Sequence, residues 1–220
     1  LKERLIFALD VGGDIEDAMS LVAKLKDHVG SFKVGKESFT RFGPVIVNRI
    51  QSLGGKVFLD LKFHDIPNTV ARAAEAALKL GVAMFNVHAS GGHVMMKETA
   101  SAVKTLAKQM GKPVPIVLAV TVLTSLNDAD LKELGFVKSS GEIVVNLSKM
   151  AQDSGLAGVV ASPADVSAIR RVCGPEFIIV TPGIRGTEKI AGDDQKRTLS
   201  PQDAIKEGAL NTFLLKPGLF

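Results

Sequence analysis

The feature that most constrains this chain is a strict alternation, from end to end, of short apolar runs with longer amphipathic stretches. Runs rich in Val, Ile, Leu and Phe occupy residues 5–9, 32–35, 57–62, 84–88, 115–121, 158–161, 177–181 and 213–215. Their length and composition suit buried strands. Between them lie segments with 3.6-residue periodicity: one from residue 15, then 44–53, 67–80, 93–110, 128–134, 142–154, 164–171 and 201–207. Boundary signals agree with this division. Asp14 is placed to cap the first helix and Gly54-Gly55 to stop the second; Pro67 sits in a first turn and Gly81 follows a last one.

Strands this apolar, joined by helices, imply a parallel sheet covered by helices. An open sheet and a closed barrel both satisfy that pattern. Polar residues at the C-terminal ends of the strands favour the barrel: Asp10, Lys33, Asp60 with Lys62, Asn86 with His88, Thr121 and Thr181. In a (β/α)8 barrel those ends converge on one mouth, whereas an open sheet uses a single crevice. The expected fold is α/β, a (β/α)8 TIM barrel, as one domain over residues 1–220.

Composition narrows the partners. The formal charge is +4, but Lys and Arg are scattered, and Trp and Tyr are absent. A nucleic-acid surface needs clustered charge and stacking aromatics, so no nucleic acid is expected. No apolar stretch reaches ~18 residues, so no membrane span is expected. The one cysteine, Cys173, allows no internal disulfide and fits a reducing, cytoplasmic setting. It ends a helical pattern and reads as a packed thiol.

The segment DLKFHDIPNT at residues 60–69 carries the chemistry. Side chains alternate across a strand, so Asp60 and Lys62 share one face while Leu59, Leu61 and Phe63 point into the helix layer. A buried strand rarely turns an acid and a base inward unless they are paired or functional. Asp65 follows on the loop, and Lys33 ends the neighbouring strand. Two lysines and two aspartates make a neutral, alternating cluster in which pairing favours the ionised forms. A substrate carboxylate beside Asp60 would feel like-charge repulsion. After CO2 leaves, an ammonium such as Lys62 can stabilise and protonate the carbanion. That chemistry calls for neither a metal nor an organic cofactor.

These residues resemble orotidine 5′-phosphate decarboxylase of the bacterial type. DLKFHDIPNTV at 60–70 closely matches that family's signature. FALD at 7–10, HASGG at 88–92, TVLTS at 121–125, TPGIR at 181–185 and DDQKR at 193–197 accompany it in order. The resemblance implies a cofactor-free conversion of orotidine 5′-phosphate to uridine 5′-phosphate and CO2, in pyrimidine biosynthesis. Lys62 would protonate C6, Asp60 would lie against the departing carboxylate, and Lys33 would position Asp60 and contact the ribose. Asp10 would bind ribose hydroxyls and Thr124 the pyrimidine. Arg185 and Gln195 would grip the phosphate from the long loop after the seventh strand. Asp65 and Thr69 would reach the partner's site in a homodimer.

The chain departs from the family at its end. Leu215 and Lys216 stand where the family has Gly-Arg, and no eighth helix follows. Lys216 offers phosphate a point charge rather than a bidentate fork. The altered end bears on both barrel closure and the phosphate site, and an inactive barrel is one reading of it. Metal-dependent sugar-phosphate decarboxylases and aldolases that share the D-x-K-x-x-D pattern are the other alternative. Gly12-Gly13 lacks the spacing of a dinucleotide fingerprint, and His64, His88 and His93 form no metal-binding spacing.

Overall fold

The computed structural model describes residues 2–10, 12–182 and 212–215, the last four as backbone. Eight parallel strands close into a barrel in sequence order. They are β1 (Leu5–Ala8), β2 (Ser31–Gly35), β3 (Val57–Phe63), β4 (Met84–His88), β5 (Ile116–Val120), β6 (Gly158–Val160), β7 (Ile178–Thr181) and β8 (Thr212–Leu215). All eight coincide with apolar runs read from the sequence. The altered eighth run still closes the ring: Leu5 pairs with Phe213 on one side of β8, and Val180 with Thr212 on the other. The loop carrying Arg185 and Gln195, the helix expected at 201–207, Lys216 and the question of a final helix lie outside the described residues.

The strand sequences divide into two apolar layers because side chains alternate. Phe7, Phe32, Val34, Leu59, Phe85, Val87, Val117, Val159 and Ile179 belong to the outer core, packed with the helices. Ile6, Ala8, Phe58, Met84, Leu118 and Val180 form a second cluster, the filling of the barrel itself. Fully burying side chains of this size contributes roughly 1.5–3 kcal/mol each. Ile6 and Ala8 precede Asp10, Phe58 precedes Asp60 on β3 and Met84 precedes Asn86 on β4, so the plug lies toward the N-terminal face. The polar ends are left at the opposite mouth.

The helices are α1 (Ile15–Leu25), α2 (Lys36–Phe42), α3 (Pro44–Ser52), α4 (Pro67–Lys79), α5 (Gly92–Met110), α6 (Asp128–Glu133), α7 (Ser140–Asp153) and α8 (Val166–Cys173). Asp14 caps α1 as expected: it accepts the Glu16 and Asp17 amides, and Asp17 accepts the Asp14 amide in return. The short α2 was not legible in the sequence. Its seven residues are too few to show a period, and Gly43 (φ 59°) with Pro44 separates it from α3. Among the described residues no helix is long and apolar enough to cross a membrane. Cys173 is free and buried, and burial pushes its thiol pKa up, as a packed thiol requires.

Candidate active site

The mouth of the barrel holds a cavity of about 750 Å3, counting the space at its opening. Its two sides differ in chemistry. Asp10, Lys33, Asp60 and Lys62 line it from β1, β2 and β3, whereas Val120, Val122, Leu123, Val160, Val180 and Pro182 line it from β5 onward. Thr124 joins the apolar side, and Phe58 of the barrel filling reaches its base. A flat, partly apolar ligand with a polar or charged edge fits such a two-sided space.

The charged side is a chain of alternating sign. Lys33 Nζ donates to both carboxylate oxygens of Asp10 at 3.0 Å and lies 3.5 Å from Asp60 Oδ2. Lys62 Nζ donates to Asp60 Oδ1 at 2.6 Å. Lys33 and Asp60 are buried, Asp10 and Lys62 partly so. Buried charges persist only when paired, and each of these four has an opposite charge beside it. Gly35, which pairs with Asp60 across the sheet, makes room for the arrangement. A Cβ there would lie 2.9 Å from Asp10 Oδ1 and 3.0 Å from Lys33 Nζ.

The fourth charge in this cluster is Asp10, where the sequence reading set Asp65. β3 ends at Phe63, and Asp65 lies on the exposed turn beyond it, its Oδ1 accepting the Ile66 amide at 2.7 Å. Thr69, in the first turn of α4, is also exposed and away from the cavity lining. Within one chain neither reaches the cluster. Thr121, another strand-end residue, donates to the Val160 carbonyl at 3.0 Å and ties β5 to β6. His93 Nδ1 meets Ser154 Oγ at 2.9 Å, joining the start of α5 to the C-terminal cap of α7.

Asn86 is the residue whose part the sequence reading missed. It is fully buried on β4, its side-chain NH2 donates to Asp60 Oδ1 at 2.6 Å, and its Oδ1 accepts the Lys62 amide at 2.8 Å. The available signal was an amide side chain within an otherwise apolar strand. His88, two residues on, sits with its ring 5.4 Å from that of His64. Burial first, then the charges of His64, Lys36 and Lys62, lower its pKa to about 4, with Asp60 opposing. Its imidazole is therefore neutral at pH 7. Among the described residues no group of three or more His, Cys, Asp or Glu side chains is arranged to hold a metal ion.

Lys62 itself has φ of 55°, the one positive φ outside glycine among the described residues. Left-handed backbone at such a residue costs about 1–3 kcal/mol and persists where its surroundings enforce it. The sheet shows how. From Leu59 to Phe63 β3 advances four residues, while β4 advances two, from Phe85 to Val87. An excess of two preserves the inward-outward alternation, so Leu61 and Phe63 still pack on the outer core and Asp60 and Lys62 still line the mouth. The shared face inferred from period two is present, but on a bulged strand.

Known proteins resemble this one over nearly its full length. The model of the Orotidine 5′-phosphate decarboxylase / HUMPS family matches residues 3–211. The match stops where the terminal sequence departs. The orotidine 5′-phosphate decarboxylase of Syntrophus aciditrophicus (strain SB) is 63% identical over 207 residues, 94% of this chain and 82% of that one. That of Moorella thermoacetica is 48% identical over 217 residues, 98% of this chain and 85% of the other. The crystal structure of orotidine 5′-phosphate decarboxylase from Lactobacillus acidophilus superimposes with a TM-score of 0.83 at 36% identity, covering 97% of this chain and 89% of that one.

Proposed function

The chain belongs to the Orotidine 5′-phosphate decarboxylase / HUMPS family, and from that premise we propose that its mouth converts orotidine 5′-phosphate to uridine 5′-phosphate and CO2, with Lys62 as the proton source. The observation that carries the reading is the alternating chain Asp10–Lys33–Asp60–Lys62 at one side of a cavity with an apolar opposite wall. The pyrimidine lies toward the apolar wall and Thr124, and the ribose hydroxyls toward Asp10 and Lys33. The scissile carboxylate then meets Asp60, whose negative charge makes the ground state unfavourable at that edge.

When the bond to C6 breaks, its electron pair stays on C6 and CO2 departs. The Lys62 ammonium, held 2.6 Å from Asp60, lies against the new negative charge and gives it a proton; the amine is reprotonated from solvent. Because the stabilising charge is already in place, little reorganisation accompanies bond cleavage. A positioned general acid of this kind supplies about 10²–10⁴-fold. No step calls for a cofactor. Asp65 and Thr69, exposed on the turn after β3 and in the first turn of α4, enter the site of a second copy in a homodimer. Arg185, Gln195 and Lys216 hold the phosphate, whose binding energy helps to orient the reacting end.

The test is the loss of orotidine 5′-phosphate absorbance on adding purified protein over a range of concentrations, with and without EDTA. The proposal expects turnover that EDTA leaves unchanged and that rises faster than protein concentration where the dimer dissociates. Consumption of a sugar phosphate that EDTA abolishes would instead place the chain with the metal-dependent relatives. Here each mouth aspartate is already engaged by an ammonium, Asp10 by Lys33 and Asp60 by Lys62 and Lys33.

A further inference from the structure

We propose that Asn86 is the positioning residue of this site: one buried amide that sets the carboxylate of Asp60 and the backbone of Lys62 together. The inference rests on the decarboxylase reading and adds to it the element that holds the proton donor in register.

The geometry leaves the amide one orientation. Only its oxygen can accept the Lys62 N–H, and only its NH2 can donate to Asp60, so the two bonds at 2.8 and 2.6 Å fix which end is which. Asp60 Oδ1 then takes two donors, Asn86 Nδ2 and Lys62 Nζ, both at 2.6 Å. Its other oxygen is left toward Lys33 at 3.5 Å. The plane of the carboxylate is thereby set from three sides.

The second bond acts on the backbone. Lys62 carries the left-handed φ of 55° at the point where β3 outruns β4 by two residues. Its N–H is part-buried and points at the fully buried Asn86, where leaving it unpaired would be unfavourable. Asn86 accepts it. Without that acceptor the strained residue gains by relaxing toward extended backbone, and the path from its Cα to its ammonium swings with it. Asn86 touches neither C6 nor the departing carboxylate; it acts through Asp60 and Lys62. A displacement of ~1 Å at a reacting group can cost about 100-fold.

Two variants test this in the full chain. Asn86→Leu keeps the branched shape and removes both bonds. Asn86→Asp keeps the acceptor for the Lys62 amide and sets a carboxylate against Asp60 in place of the donor. Each is assayed with orotidine 5′-phosphate, its affinity for uridine 5′-phosphate is measured by calorimetry, and its folded fraction by circular dichroism. The expected result is a kcat lower by about 30-fold or more in both, with KM and nucleotide affinity within roughly threefold of the parent. A residue that merely fills space would leave kcat per folded molecule unchanged in Asn86→Asp, which is isosteric. Such a result, or a loss that falls wholly in KM, overturns the proposal. If Asn86→Leu fails to fold, Asn86→Asp still decides. Absence of turnover in the parent chain is a separate outcome: it removes the decarboxylase reading and this inference with it.

Discussion

Gly35 and Asp60 are paired across β2 and β3, and a methyl group on the glycine would press on Asp10 Oδ1 and Lys33 Nζ. Both atoms end flexible side chains, so Gly35→Ala displaces the ion pair rather than the barrel. The expected outcome is roughly a tenfold loss of kcat/KM with a near-parental thermal midpoint. His88 gives a pH dependence whose sign follows from its depressed pKa. From its ordinary value of 6.5 down to about 4, the unfolded chain binds a proton that the folded chain refuses. The contribution to stability is complete above 6.5 and is lost as pH falls toward 4. Denaturation at pH 7, 6 and 5 should show falling stability, and His88→Gln should flatten that slope. Lys33, Asp60 and Lys62 were legible because charged residues on apolar strands are conspicuous. The partnership of Asn86 was not, since it depends on which residue of β4 lies opposite Lys62. The pairing of Asp10 with Lys33 was not legible either, because it joins residues of two different strands that meet only in the folded sheet.

At the scale of elements, local chemistry was read best. The Asp14 cap, the proline that opens α4 and the glycines after helices are all where their physics puts them. Asp14→Ala should cost about 1 kcal/mol, read as a lower urea midpoint with an unchanged slope. Bonds from Asp14 to the Glu16 and Asp17 amides are what that substitution removes. Strand β3 shows where a period fails. Its alternation predicts the faces correctly, yet the two extra residues against β4 appear only when both strands are present. A bulge is a property of a pair of strands, so one strand's sequence does not announce it. The same limit explains α2, whose start at Lys36 directly continues β2.

For the whole molecule, the fold followed from repetition: eight apolar runs became eight parallel strands, and with Ile6, Phe58, Met84 and Leu118 filling the barrel, Asp10, Lys33, Asp60 and Lys62 gather at its mouth. The changed residues at the last run did not alter pairing, because β8 joins β1 and β7 through backbone bonds that do not depend on side-chain identity. At the level of assembly, Asp65 and Thr69 are exposed rather than in the cavity of their own chain. If they serve a second copy, inactive Lys62→Ala and Asp65→Ala proteins should regain activity when mixed, to about a quarter of the parent for random pairing in a twofold dimer. No recovery would assign each site to a single chain. The central claim, that a pre-formed chain of charges protonates C6 through residue 62, is tested most directly by turnover of orotidine 5′-phosphate in Lys62→Ala at saturating substrate. A fall of about 10²-fold or more, with uridine 5′-phosphate still bound and the fold intact, is the predicted result; turnover near that of the parent would contradict it.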